Sequence, residues 1–217
     1  MPPKIEDLLK PELGYIFRIT HRDNLPWILK NGLVCATDRH KDPAFVNIGS
    51  SDLIGKRAIH PVPIAPGGTL GDYVPFYFTP FSPMAYNIHT GRGVPKRPND
   101  ELVFLMSAAS RIETAGLPFV FTDRHAYLQT TRFFADLADL RSIDFPLLRR
   151  RDFQRSEKDP EKVDRYMAEF LVKCTLPVTT LLCVACYTDK AQQALQTMVD
   201  GLRLAIPVLS RPGWYFR

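Results

Sequence analysis

The chain has 217 residues, of which 45% are hydrophobic and 24% are charged, and its formal net charge is +5. This composition is typical of globular proteins and excludes a chain that is disordered throughout. The length suits one compact unit, so we expect a single domain over residues 1–217. The small excess of positive charge favours anionic partners only mildly.

Apolar residues form no run of about 18, and the N-terminus lacks the charged, apolar and small-residue regions of a secretory signal. We therefore expect no membrane span and a cytoplasmic location. Four cysteines are too few for a disulfide framework. Cys183 and Cys186 lie in the apolar run LLCVACY, which predicts buried strand cysteines and no metal site.

In chain order, the patterns predict a strand at 15–20, a helix capped by Asp23 or Asn24 and ended by Gly32, and a candidate strand at 33–36. Residues 37–72 show little periodicity, and long segments of this kind are usually functional, so we expect this one to fold over a ligand. Further strands are predicted at 73–78, 101–108, 119–121, 169–174, 181–187 and 206–209, and further helices at 82–89, 132–140, 160–167 and 190–202. The mixture indicates an α+β protein.

The segment GKRAIHPVPIAPGGTLGDYVPFYFTPFSPM, residues 55–84, carries the most unusual local chemistry and is interpreted as the floor of an active site. Arg57 precedes a loop rich in proline and glycine, although an ordinary surface cation would give the same pattern. In the aromatic strand that follows, one alternating face should pack inward. We expect the ring of Tyr77 to line the cleft.

Glu169 begins an apolar strand, where a carboxylate is out of place unless its charge is paired or used. It is either a catalytic residue or a strand-end glutamate in solvent. The stretch of residues 149–155, RRRDFQR, combines arginines with an aromatic ring, as expected of a surface that grips phosphates and stacks on bases. A solvated helix end or loop would look the same.

Five segments, in this order, resemble the DarT family of DNA ADP-ribosyltransferase toxins. They are RITHRDNLPWILKNGL, IGKRAIHPVPIAPGGTLGDYVPFYFTPFSPM, LPFVFTDRHAYL, RYMAEFLV and RPGWYF, and together they span nearly the whole chain. The resemblance implies an ADP-ribosyltransferase fold, with a bent, split β-structure and helices around an NAD cleft. It also implies transfer of ADP-ribose from NAD to a base in single-stranded DNA, without a metal and with release of nicotinamide.

The long segment after Arg57 is similar to that of the branch that modifies thymine at N3, which implies a toxin that blocks replication. The resemblance further implies a partner, the antitoxin DarG, whose macrodomain removes the modification. An ADP-ribosyltransferase acting on RNA or protein remains the alternative, and a catalytically silent nucleic-acid-binding module is a second one.

Matching the motifs position by position implies a role for each candidate site residue. Glu169 corresponds to the catalytic glutamate, Arg57 to the arginine beside the reacting base, and His125 to a supporting histidine. Arg18 and Thr20 fall where the family holds NAD, although some members have histidine in place of Arg18. Tyr77 is added to this cofactor-binding set as a ring of the cleft.

For the DNA side, ADP-ribosyltransferases place a target-selecting loop shortly before the catalytic glutamate. We therefore predict DNA contacts for one group, which comprises Arg149, Arg150, Arg151, Phe153 and Arg155. A second possible phosphate track comprises Arg92, Lys96 and Arg97.

Overall fold

The computed structural model describes residues 4–217. Its strands are β1 (Tyr15–His21), β2 (Leu33–Val34), β3 (Tyr73–Tyr77), β4 (Leu102–Ala108), β5 (Phe119–Thr122), β6 (Phe133–Phe134), β7 (Glu169–Lys173), β8 (Thr175–Leu176), β9 (Cys183–Cys186) and β10 (Val208–Ser210). Its α-helices are α1 (Ile5–Leu8), α2 (Leu25–Asn31), α3 (Ser51–Arg57), α4 (Pro83–Thr90), α5 (Ala109–Thr114), α6 (Phe145–Arg150), α7 (Lys162–Arg165) and α8 (Asp189–Gly201).

Eight strands form one sheet in the order β10-β9-β4-β1-β3-β7-β5-β6, while β2 and β8 pair separately. The neighbours are antiparallel apart from β9 and β10. Strand β1 pairs with β4 along seven residues but meets β3 only at Phe17 and Tyr77. The sheet is therefore split between β1 and β3, which agrees with the predicted α+β class and its divided β-structure.

Side-chain alternation separates two layers on the β3–β7 half of the sheet. Phe76, Phe121 and Phe170 share one face, because they are partners across neighbouring strands, and all three are fully buried. Tyr77 and Glu169 are also register partners and share the opposite face. The opposite face carries a smaller apolar cluster that includes Tyr73, Val120 and Leu171, and Glu169 and Tyr77 lie at the end of that face.

Local sequence signals correctly predicted several elements. Helix α4 begins after Ser82, whose hydroxyl accepts a hydrogen bond from Ala85 N at 3.2 Å, and it ends at Gly91 in the left-handed conformation. Cys183 and Cys186 are buried on β9, as expected. Within residues 4–217, no helix is both long and apolar enough to cross a membrane.

The helix predicted at 132–140 is wrong. Phe133 and Phe134 instead form β6, which pairs with β5, and a 3₁₀ segment (Leu137–Ser142) follows. Asp136 accepts a hydrogen bond from Ala138 N at 2.8 Å and starts that segment. Pairing of two adjacent phenylalanines at the sheet edge therefore replaced the first turn of the expected helix.

Two further differences concern segments 37–72 and 160–167. The first contains α3, a helix that the sequence did not predict, and it carries Arg57 at its C-terminal end. The second is helical only over α7. Helices α5 and α6 were also not predicted.

Candidate active site

Glu169 and Arg57 form a buried ion pair at the split in the sheet. Glu169 is 1% exposed, and its Oε1 accepts a hydrogen bond from Arg57 Nη1 at 3.0 Å. Arg57 Nη2 lies 2.9 Å from Oε2, but the two atoms are not aligned as a hydrogen bond. The residues are 112 positions apart and are joined because Arg57, at the end of α3, extends its side chain to the start of β7.

The loop after β5 holds the same carboxylate from the other side. Ala126 N donates to Glu169 Oε1 at 3.0 Å, and Glu169 N donates to the Thr122 hydroxyl at 3.2 Å. Oxygen Oε1 therefore has two donors. Oxygen Oε2 is buried and lies 2.9 Å from Arg57 Nη2, and it accepts no aligned hydrogen bond from any group in residues 4–217. A substrate group that contacts Oε2 must therefore do so beside Arg57.

The charges around Glu169 favour its ionised form. Burial acts to raise the pKa of the carboxyl, but the Arg57 charge, His125 and the hydrogen bonds from Arg57 and Ala126 outweigh it, so the pKa lies below its ordinary value. Burial acts to lower the pKa of Arg57, but the charge of Glu169, its hydrogen bond and the nearby Tyr77 together outweigh burial, so the pKa lies above its ordinary value. Both groups are therefore charged near neutral pH.

His125 lies beside the ion pair with a defined tautomer. Its Nδ1 is 3.6 Å from Glu169 Oε1 and accepts a hydrogen bond from Tyr127 N at 3.1 Å. Since Nδ1 is an acceptor, a neutral His125 carries its proton on Nε2. Burial lowers the pKa of His125, although Glu169 opposes this effect, so the ring is neutral at pH 7. His125 can thus donate one hydrogen bond from Nε2.

Arg18 and Tyr77 complete the polar cluster. Arg18 Nη1 donates to Pro75 O at 2.9 Å, whereas its Nε is buried without a partner among the described residues. Burial lowers the pKa of Arg18 to about 10, which still leaves it charged at neutral pH. Burial and the charge of Glu169 both raise the pKa of Tyr77, so its hydroxyl stays protonated.

Thr20 lies on β1, as Arg18 does, but its side chain is hydrogen-bonded within the protein. Its hydroxyl accepts a hydrogen bond from Asn24 Nδ2 at 3.0 Å. The same amide group bonds both the N–H and the C=O of Val46, at 2.7 and 3.0 Å. Asn24 therefore ties the segment that leads to α3 onto β1. The NAD contact predicted for Thr20 remains a prediction.

Comparison with known proteins supplies the family. Residues 17–216 match the family model described as "ssDNA thymidine ADP-ribosyltransferase, DarT". A DNA ADP-ribosyl transferase of Escherichia coli O127:H6 (strain E2348/69 / EPEC) is 48% identical over 209 residues, covering 96% of each chain. The chain belongs to the DarT family.

Solved structures support the same assignment. Thermus sp. 2.9 DarT in complex with ADP-ribosylated ssDNA superposes with a TM-score of 0.87 at 34% identity and covers 95% of this chain and 98% of that one. The same Thermus protein in complex with NAD+ gives a TM-score of 0.79 at 33% identity, with 95% and 99% covered. The predicted ADP-ribosyltransferase fold is therefore confirmed.

The arginine-rich stretch is less open than its sequence indicated. Arg149 Nη1 donates to Leu9 O at 3.1 Å, and Phe153 packs on Tyr166 with ring centroids 4.6 Å apart. Arg151 pairs with Glu6 and lies 3.9 Å above the centre of the Phe81 ring. Arg150 and Arg155 are exposed. Contact of this group with DNA remains a prediction, and Arg150 and Arg155 are the members whose side chains are exposed to a ligand.

The second possible phosphate track also contains both exposed and internally paired side chains. Arg92 and Lys96 are exposed, whereas Arg97 pairs with Glu101 at 3.3 Å. A role for this track in binding DNA stays a prediction.

The structure brings together Glu169, Arg57, His125, Tyr77 and Arg18 from five separate segments. Sequence reasoning did not identify the Ala126 backbone donor, because a backbone N–H has no residue signature. It also passed over Thr122 and Asp123, although two polar residues directly after an apolar strand were a usable signal.

Proposed function

We propose that this protein transfers ADP-ribose from NAD to N3 of thymine in single-stranded DNA and releases nicotinamide. The observation that carries the proposal is the buried Glu169 carboxylate, held by Arg57 and by Ala126 N at the split of a DarT-family sheet. The Thermus relative has been solved with both NAD+ and ADP-ribosylated ssDNA.

The polar groups of the site fit a dinucleotide. Arg18 Nε is a buried donor without a hydrogen-bond partner among residues 4–217, and both Arg18 and Arg57 are charged. Guanidinium groups match phosphate oxygens in charge and geometry. Arg18 is therefore placed to hold the pyrophosphate, and the Tyr77 ring beside Glu169 is placed to contact the nicotinamide.

Glu169 supplies the main electrostatic contribution to the reaction. Cleavage of the nicotinamide–ribose bond develops positive charge on the ribose, so an ionised carboxylate stabilises the transition state more than the ground state. Because Oε1 is fixed by Arg57 and Ala126, Oε2 is the atom that faces the ribose. The carboxylate does not have to reorganise as the charge appears.

Thymine N3 is a poor nucleophile while it carries its proton. Glu169 can accept that proton as the new bond forms, since its carboxylate is ionised. Arg57 offsets the negative charge that develops on the ring carbonyls. His125 Nε2–H offers a further donor to the same carbonyls. The three residues thus support both removal of the proton and attack by N3.

The acceptor must reach a buried carboxylate, and an unpaired base does so at the lowest cost. This favours single-stranded DNA over a duplex. From family membership, we further propose that the modification blocks replication in the cytoplasm and that a DarG-type macrodomain antitoxin is the partner that reverses it. We also propose that residues 1–217 form a single domain.

The proposal predicts one added ADP-ribose on a thymine-containing oligonucleotide incubated with the protein and NAD. Mass spectrometry with fragmentation locates the added mass on the thymine base. An oligonucleotide with N3-methylthymidine at every thymine is the matched control and should stay unmodified. Modification of RNA or protein pools without modification of DNA would show that RNA or protein is the acceptor. Added mass on the N3-methyl control would exclude N3 as the modified atom.

The exposed arginines give a separate prediction about DNA affinity. Changing Arg150 and Arg155 to Gln should weaken binding of single-stranded DNA and reduce the slope of log K against log salt by about 1.4, which corresponds to two lost phosphate contacts. Fluorescence anisotropy over a salt series measures both. The control changes Lys30 and Lys190 to Gln, because both are exposed and the net charge falls equally. Equal slopes in the two double variants would place the DNA path elsewhere.

A further inference from the structure

Asp123 is a buried carboxylate that closes the loop after β5. It is 4% exposed and follows Thr122 directly. Its Oδ1 accepts a hydrogen bond from Arg132 N at 3.1 Å, and its Oδ2 pairs with Arg132 Nε at 2.8 Å. Arg124 Nε adds a longer contact of 3.4 Å. This side chain therefore reinforces a closure that the backbone already makes, because Asp123 N donates to Arg132 O at 3.4 Å and Thr122 pairs with Phe133. We call residues 123–132 the 123–132 loop.

Within the 123–132 loop, further hydrogen bonds fix the backbone around His125. Thr131 Oγ1 and Leu128 N both donate to His125 O, at 2.7 and 3.1 Å. His125 N donates to Asp164 O at 3.2 Å and so anchors the loop to α7. With its ends joined and its centre anchored, the loop has little freedom to rotate the peptide that follows His125.

That peptide carries the Ala126 N–H, which donates to Glu169 Oε1 at 3.0 Å. Arg57 Nη1 is the other donor to the same oxygen. Loss of the Ala126 donor would leave Glu169 held from one side only. Oε2 would then no longer be fixed toward the ribose, and the ionised carboxylate would lose a charge-assisted hydrogen bond.

We propose that Asp123 is a positioning residue for ADP-ribose transfer, whose side chain fixes the closed form of the 123–132 loop and thereby aims the Ala126 N–H at Glu169. This inference rests on the proposed function, because it assigns Asp123 a task in that reaction. Asp123 acts through the loop and the Ala126 backbone and does not touch the reacting atoms.

A pH measurement separates this role from a direct effect of charge. Glu169 is faced by Arg57 from α3, by His125 and the Ala126 N–H from the loop, and by Tyr77 from β3, with Arg18 nearby. Neutralising Asp123 removes a negative charge, which on its own would lower the pKa of Glu169. Losing the Ala126 donor would raise that pKa. The two explanations therefore predict shifts of opposite sign.

The test uses Asp123→Asn and Asp123→Ala in the full chain. With a thymine oligonucleotide and NAD, we expect kcat to fall about tenfold in the Asn variant and further in the Ala variant, while the KM for NAD changes less than about twofold. The acidic limb of the pH–rate profile should move upward by about half a pH unit. Carbon-13 NMR titration of the Glu169 carboxyl, assigned with Glu169→Gln, should show the same upward shift without any substrate.

Two further variants keep the result interpretable. Arg132→Ala removes a 67% exposed partner and leaves the backbone bond to Asp123, so it should fold and should shift the limb in the same direction by less. Asp136→Asn changes a carboxylate that only caps a 3₁₀ segment and should leave the limb in place. A downward or absent shift of the Glu169 pKa in Asp123→Asn overturns the inference. If the wild type transfers nothing to DNA, the proposed function fails. The NMR shift then still decides whether Asp123 holds the Ala126 N–H against Glu169.

Discussion

Replacing Glu169 with Gln should reduce ADP-ribose transfer by about a thousandfold or more, because the change removes both the charge that stabilises the ribose cation and the base for N3. Gln has the same shape, and its oxygen can still accept hydrogen bonds from Arg57 and Ala126. The fold and the NAD site should therefore survive. We expect the Kd for a non-hydrolysable carba analogue of NAD, measured by calorimetry, to stay within about threefold of the wild-type value.

Glu161→Gln is the matched control for this prediction. Glu161 precedes Glu169 by only eight positions, but its side chain is 53% exposed and pairs with Arg124 at 3.0 Å. Its loss should change transfer by less than about twofold, since exposed ion pairs contribute little. Transfer by Glu169→Gln at more than about a tenth of the wild-type rate would remove Glu169 from the chemistry and with it the proposed mechanism.

The sequence predicted the parts of the fold that local signals determine. Helix α4 has a serine cap, a proline in its first turn and a glycine at its end, and each signal acts within a few residues. Helix α3 was not predicted because none of its residues is buried, so it shows no apolar periodicity. Its placement depends on tertiary contacts, and among these is the ion pair that joins Arg57 to Glu169.

The residues of the candidate site also differ in whether the sequence alone could predict them. Glu169 was detectable because a carboxylate at the start of an apolar strand is unusual, and the resemblance to the DarT family supplied its role. Ala126 acts through a backbone N–H, which any residue other than proline would provide. The internal contacts of Arg149 and Arg151 were equally hidden, since their partners Leu9 and Glu6 lie 140 and 145 positions away in the chain.

The split between β1 and β3 connects these observations. A continuous ladder would satisfy the backbone groups along both strands, but the strands meet only at Phe17 and Tyr77. Side chains can enter the opening, and Arg18 does so by donating to Pro75 O on β3. Tyr77 and Glu169 lie at the same level on the other half. The fold thus brings the polar side chains of the site together where it gives up strand pairing.

Replacing Arg57 with Gln should both slow transfer by about a hundredfold and destabilise the protein in a pH-dependent way. Removing one partner of a buried pair leaves the Glu169 charge uncompensated, which costs about 3 kcal/mol at neutral pH. For a chain of this size, that cost corresponds to a fall of roughly 6 to 12 °C in Tm. Lys56→Gln is the control, because Lys56 is the preceding residue of α3 and its side chain is 52% exposed.

The sign of the pH dependence follows from the two pKa values of Glu169. In the wild type, the folded-state pKa lies below the ordinary value, so the ion pair stabilises the fold above the unfolded pKa of about 4.3 and is lost as the pH falls through the folded value. In Arg57→Gln, burial without Arg57 should raise the folded-state pKa above 4.3, a value from model peptides. The folded variant then binds the extra proton, and its stability should fall as the pH rises toward neutrality.

The difference in Tm between wild type and Arg57→Gln should therefore be small near pH 4 and grow toward pH 7. Thermal unfolding of Arg57→Gln, Glu169→Gln and the double variant over this pH range completes a double-mutant cycle. The double variant lacks the titrating carboxyl, so it should regain part of the stability lost in Arg57→Gln at pH 7. If the loss of Tm in Arg57→Gln is independent of pH, other groups compensate the Glu169 charge. The Arg57–Glu169 ion pair would then not be the main electrostatic interaction of the site.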